Sequence, residues 1–146
     1  MRQIPAERIE LLARIEPPAY EATANADVTP EFRAAMEEYQ KRNYSGAIAP
    51  LRGAAEVQPH SVEARFYLAI CLLMTNDRSG GIQELQAVIS AGSTPYLEAA
   101  RFYLAKALLA DRNTRGADVQ LRVIVEMHGK LEKQAQTLHA QIVPRP

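Results

Sequence analysis

The chain has 146 residues, with 17 basic and 17 acidic side chains and a formal net charge of zero. That neutrality argues against a nucleic-acid binder, which needs clustered Lys and Arg to neutralise phosphates. The longest apolar stretch, Phe66 to Met74, falls far short of the roughly 20 residues a membrane-spanning helix needs, and nothing near Met1 reads as a secretion leader, so a soluble segment is expected. The single cysteine, Cys71, lies inside that stretch and is expected to be a buried small hydrophobe.

From the N-terminus, Pro5 to Ile15 is predicted to form an amphipathic helix with Ile9, Leu12 and Ile15 on one face, widened by Leu11. Glu16-Pro17-Pro18-Ala19-Tyr20 through Asp27 cannot continue it and reads as an extended linker. Thr29-Pro30 then supplies an N-cap and a proline at the first helical position of a helix ending near Lys41. A turn at Arg42-Asn43 leads to a second helix from Tyr44, which Pro59 ends. Within it, Pro50 forfeits a bond to Gly46 and is expected to bend the helix without breaking it. The next pair begins at Ser61, breaks at Asn76-Asp77 and resumes to Ala91. A third opens with Thr94-Pro95, breaks at Arg112-Asn113 and resumes to His128, where Gly129 stops it. Lys130 to Ile142 carries Leu131, Ala135, Leu138 and Ile142 on one stripe, as a helix covering the open end of a helical stack does.

These pairs repeat in sequence. Ala64-Arg65-Phe66-Tyr67-Leu68-Ala69 recurs unchanged as Ala100-Arg101-Phe102-Tyr103-Leu104-Ala105, and in the same frame Gly80 meets Gly116 and Leu85 meets Leu121. Stepping back from Phe66 aligns Phe32, Ala35, Tyr39 and Leu51. The predicted organisation is therefore a helix and linker over 1–27, three units over 28–129 (28–61, 62–97 and 98–129), and a capping helix with tail over 130–146. On the first helix of each unit one face holds Phe32, Met36 and Tyr39, then Phe66, Ile70, Leu73 and neighbouring Met74, then Phe102, Lys106 and Leu109. The opposite side, with Leu68, Leu72, Leu104 and Leu108, is expected to pack on the second helices. Arg65 and Arg101 are expected to be solvated, their stems covering apolar surface.

A helix-turn-helix unit of this length and punctuation resembles the tetratricopeptide repeat (TPR). The likeness is best over Tyr39-Gln40-Lys41-Arg42-Asn43-Tyr44-Ser45-Gly46-Ala47-Ile48 and Pro59, with small residues at the close-approach positions Ala35, Ala69 and Ala105 and Ala47, Gly81 and Ala117. It departs where Glu31, Arg65 and Arg101 replace the family's early tryptophan, and where Arg78 and Thr114 replace a tyrosine. The resemblance implies an all-α, right-handed α-solenoid of about three units, with a C-terminal cap and an N-terminal amphipathic helix. It also implies that the Phe32 to Leu109 face lines a concave, peptide-binding groove. Family members that grip carboxylate tails use several cations there; this face has only Lys106, so an apolar peptide or amphipathic helix is the expected partner. Two alternatives stand beside an open groove. The stripe belongs to the core, or the chain's own N-terminal helix fills it, in cis or by exchange within a homodimer.

The residues give catalysis no footing. His60, His128 and His139 lack a second ligand at metal spacing, no nucleophile elbow, phosphate loop or HExxH motif occurs, and adjacent Glu37 and Glu38 diverge on a helix. No enzyme activity, metal or cofactor is expected. The expected function is protein–protein interaction, or alternatively a structural or oligomerisation role. A second resemblance, carried by Leu12-Ala13-Arg14-Ile15-Glu16-Pro17-Pro18-Ala19-Tyr20 and Thr94-Pro95-Tyr96-Leu97-Glu98, is to the C-terminal part of bacterial membrane-anchored proteins with a zinc-finger, anti-sigma-like domain. It implies the extracytoplasmic, sensory region of such a regulator, with Met1 not the natural start.

Overall fold

Three side chains at equivalent positions set the geometry of the helical hairpins. Asn43, Asp77 and Asn113 each accept a hydrogen bond from the backbone N–H three residues on, that of Gly46, Gly80 and Gly116, at 3.1, 3.0 and 2.9 Å. The residue before each cap, Arg42, Asn76 or Arg112, is left-handed, with φ of 63°, 68° and 61°. Glycine recurs at the third helical position because a Cβ there would lie 2.4 to 2.7 Å from the capping side chain. The sequence thus repeats a turn as well as a helix face.

The structure, a computed structural model, describes residues 4–20, 29–57 and 62–143. The described residues form α1 (Ala6–Leu12), α2 (Pro30–Gln40), α3 (Tyr44–Val57), α4 (Val62–Met74), α5 (Arg78–Ser90), α6 (Leu97–Ala110), α7 (Thr114–Met127) and α8 (Glu132–Ile142), with no strand among them. Among the described residues the fold is all-α, built of tetratricopeptide-like helical hairpins. None of these helices is long and apolar enough to cross a membrane. The expected unit start at Val28, the helix start at Ser61, the Pro59-His60 turn and the linker end at Asp27 lie outside the described residues.

The chain divides into two compact units. In the unit formed by 16–96, α2 and α3 pair, α3 packs on α4, and α4 pairs with α5. Its core holds Ala35, Ala47, Leu51, Leu68, Ala69, Leu72, Leu85 and Val88, all at most 3% exposed. At Gly81 a Cβ would stand 2.6 Å from the Leu73 side chain and 3.2 Å from the Ala69 carbonyl, so close packing of α5 on α4 explains this glycine. In the unit formed by 1–15 and 97–146, α6 pairs with α7, α7 packs on α8, and α1 lies on α6. Ala105, Ala117, Leu121, Ile124 and Ala135 are fully buried there.

Several boundaries and exposures differ from expectation. The third pair opens at Leu97 and not at Thr94-Pro95: the Thr94 hydroxyl accepts from Tyr96 N–H within a turn, and Tyr96 is drawn into the aromatic packing of the 16–96 unit. α7 ends because His128 itself is left-handed (φ 51°), one residue before Gly129, which instead gives room to the Glu98 carboxylate. α1 stops at Leu12, leaving Ile15 outside it. Leu11 is 71% exposed and does not widen the buried stripe, since on a helix it lies about 200° around from Ile9. In α4, burial runs from Phe66 to Leu72, whereas Leu73 and Met74 are half-buried. The repeated arginines are paired: Arg65 reaches Glu84 at 3.2 Å and Arg101 reaches Gln120 at 2.9 Å, each tying the first helix of a hairpin to its second at the same offset. α3 runs unbroken through Pro50.

Leu68 and Leu104 hold equivalent positions at 2% and 3% exposure. Leu68→Ala and Leu104→Ala should each lower the unfolding free energy by roughly 2 to 5 kcal/mol in chemical denaturation. A near-zero change at either would contradict the packing described.

Candidate functional site

The first-helix face is apolar because its residues recur one helical turn apart, and α2, α4 and α6 each present it. In the 16–96 unit Phe32, Met36, Tyr39, Phe66 and Ile70 are all at most 5% exposed; Leu73 and Met74 are half-buried, and the Leu73 side chain, expected on this face, packs at Gly81 of α5. Phe32 and Tyr39 are met by the segment read from the sequence as a linker. Tyr20 stands edge-on to Phe32 and Tyr67, with ring centroids 5.9 and 5.5 Å apart. The Tyr39 hydroxyl donates to the Pro18 carbonyl. Behind them Tyr67 contacts Tyr39 at 5.1 Å and Phe66 at 5.2 Å, and Tyr96 tilts over Phe66 at 5.0 Å. Such ring pairs add to simple area burial through their quadrupoles.

Two phenols in this cluster are held protonated. Burial pushes Tyr96 far above its ordinary value, reinforced by its hydroxyl donating to the Glu63 carboxylate and by that group's charge. Tyr20 moves in the same direction through burial and then through Glu63, with Arg33 pulling the other way. At neutral pH both are uncharged donors.

In the unit formed by 1–15 and 97–146, the equivalent face is Phe102, Lys106 and Leu109. Ile9 of α1 is buried in one cluster with Phe102, Ala105 and Leu109 of α6 and with Leu138 and Ile142 of α8. Lys106 Nζ donates to the Leu12 carbonyl at 2.8 Å and lies 5.6 Å from the Phe102 ring centroid. The last carbonyls of a helix have no internal partner and carry the negative end of its dipole, so a lysine suits that position. A helix of seven residues cannot persist alone in water, so α1 owes its structure to this docking. Beside it α1, α6 and α8 enclose an open cleft of about 380 Å³, with Leu12, Phe102, Lys106 and Leu138 in its wall and Leu11 at its rim.

Within each unit part of the expected face meets residues N-terminal to the repeats: Phe32 and Tyr39 in one, Phe102, Lys106 and Leu109 in the other. Pro18, Tyr20, Tyr67 and Tyr96 belong to it as well, although sequence reasoning passed over them. A signal was available, since five of the six tyrosines, Tyr20, Tyr39, Tyr44, Tyr67 and Tyr96, fall between residues 20 and 96.

Other candidates have structural places. Cys71 is buried, and burial pushes its thiol up to about 12. Against expectation two histidines have carboxylate neighbours: His128 Nδ1 lies 2.9 Å from Glu132, four residues on, and His139 Nδ1 lies 2.5 Å from Asp118 of α7, which helix-face arithmetic within one helix could not show. His60 lies outside the described residues. Among the described residues, no group of three or more His, Cys, Asp or Glu could hold a metal ion.

No family model matches the chain, and no curated protein matches it. Among solved structures, it is similar to the type III secretion chaperone SycD of Yersinia enterocolitica, determined in complex with a peptide of the translocator YopD. That likeness covers 77% of this chain and 88% of that one, with a TM-score of 0.70 and 14% sequence identity. It establishes a shared helical-repeat fold.

Two outcomes follow from these contacts. Ile9→Ala and Lys106→Met should each loosen α1, raising amide exchange in Ala6–Leu12 at least tenfold while exchange in α4 stays unchanged; the lost lysine bond corresponds to about 1.5 to 3 kcal/mol. Cys71 should resist alkylation at pH 8 in the folded protein and react on unfolding. Its folded value is raised above the ordinary 9.0, so the associated stability is complete below pH 9 and is lost as pH rises towards about 12.

Proposed function

We propose that the protein is a non-enzymatic interaction module whose first-helix faces take an apolar peptide or amphipathic helix, with its own N-terminal segment as the occupant described here. The observation that carries this reading is the mode of cover. Residues from outside the repeats insert Ile9 beside Phe102, offer the Leu12 carbonyl to Lys106, and place Tyr20 between Phe32 and Tyr67. These contacts are the kind a foreign peptide makes in a groove: a few side-chain anchors plus main-chain acceptors. Ile9, the buried anchor, contributes about 1.5 to 3 kcal/mol, and half-buried Tyr20 adds a smaller share towards the cost of ordering the segment. The peptide complex of SycD lends support through the shared fold. Apart from Lys106 the expected face is uncharged, which favours an apolar partner over a carboxylate tail.

A second reading has its own support. α1 packs on α6, and the Lys106 to Leu12 bond spans 94 residues of sequence, so the same contacts could be made by the N-terminal segment of another copy. On that reading the mass in light scattering rises with concentration to that of a dimer. A constant monomer mass excludes it.

The binding reading is tested by selecting peptides from a random library on the full chain and mapping them by NMR. Enriched sequences should carry apolar or aromatic anchors and perturb Tyr39, Tyr67 or Phe102. Enrichment confined to the outer faces of α3, α5 and α7, or none above a scrambled control, contradicts it.

A further inference from the structure

The cover over α2 and α4 is more specific than apolar burial alone requires. Pro17 and Pro18 fix φ near −65° and lack an N–H, so this stretch offers its surroundings carbonyls and ring surface only. One of those carbonyls, that of Pro18, is taken by the Tyr39 hydroxyl. Two residues on, Tyr20 meets Phe32 and Tyr67 at interplanar angles of 81° and 88°, a perpendicular edge-to-face geometry that an aliphatic side chain cannot reproduce. Proline-rich segments also lose little conformational freedom on docking, which is why aromatic-lined surfaces select them.

We infer that the α2/α4 face is a recognition site for an extended segment bearing a proline followed two residues later by an uncharged aromatic side chain, with Pro18-Ala19-Tyr20 as its resident intramolecular copy. The inference rests on the peptide-binding reading above and names the partner's chemistry. Aromatic rings line the position of the anchor, and the acceptor for the Tyr39 hydroxyl comes from the ligand's main chain. A resident copy on a short tether competes at an effective concentration of about millimolar, so a partner is resisted until Tyr20 leaves.

The test uses the full chain and a capped peptide, Glu-Pro-Pro-Ala-Tyr, titrated against the aromatic NMR resonances. Tyr20→Ala should bind this peptide at least tenfold more tightly than the unaltered protein. Replacing the peptide's tyrosine by alanine should lose at least tenfold, and Tyr20→Phe should behave as the unaltered protein does. Equal binding by Tyr20→Ala and the unaltered protein, or equal binding of the two peptides, overturns the inference. Circular dichroism checks that Tyr20→Ala keeps its helices. Tyr39→Phe gives a second readout that needs no cavity: it keeps the ring, removes the donor, and should raise amide exchange at Ala19 and Tyr20 at least threefold. Unchanged exchange there overturns the assigned carbonyl contact. Library peptides that occupy the α2/α4 face without this proline–aromatic spacing would sink the inference and leave the binding reading intact, whereas an empty face defeats both.

Discussion

The first helix of a hairpin is apolar on two sides, and the second helices packed against it meet only one of them. Everything else in the molecule follows from that shortfall. Leu68 and Leu72 meet α3 and α5, while Phe66 and Ile70 on the other side of α4 need a different cover. Exposed aromatic and aliphatic area is unfavourable by about 25 cal/mol for each Å², so the bare side must acquire a neighbour. Here Tyr67 and Tyr96 meet Phe66, and the N-terminal residues add Tyr20 against Phe32 and Tyr67.

The two units meet this requirement with different chemistry. In the unit formed by 1–15 and 97–146 the cover is a helical turn, anchored by Ile9 and held at its C-terminal end by Lys106. In the 16–96 unit it is an extended proline stretch with a tyrosine set among rings. The substitution of Lys106 for the equivalent Ile70 accounts for the difference. Ile70, fully buried, can only pack, whereas a lysine in that place asks for an acceptor, and a helix C-terminus provides several.

Much of the fold was legible because the repeat is local. The recurring Ala-Arg-Phe-Tyr-Leu-Ala, the Asn43, Asp77 and Asn113 turns and the small residues at Ala69 and Gly81 all act within a hairpin, where spacing in sequence maps directly onto spacing in the structure. What escaped was non-local. Tyr20 sits in a stretch whose prolines announce only that no helix continues, and nothing in that signal says what the next side chain touches. Tyr96 sits in a turn and hydrogen-bonds Glu63, so its role depends on a residue far behind it. Ile15 differs for another reason: a periodic apolar pattern does not say where a short helix ends, and α1 ends at Leu12, where Lys106 takes its carbonyl. Arg65 and Arg101 looked like surface charges until their partners, Glu84 and Gln120, proved to lie at the same offset in both hairpins.

The unit that carries α1 is discontinuous in the chain, and this has a consequence for the newly made polypeptide. Residues 16–96 form a sequence-continuous body whose contacts are complete once Tyr96 has been synthesised. Ile9 has no core to enter until α6, α7 and α8 exist, because its cluster is drawn from residues 102 to 142. During translation α1 is made before α2 to α5 yet docks after them, and its apolar stripe stays available to a chaperone or a neighbouring nascent chain until α8 has been made. The order in which the ribosome delivers the segments thus separates two contacts that neighbour each other in sequence: Tyr20 can dock once Tyr96 is made, and Ile9 waits for Ile142.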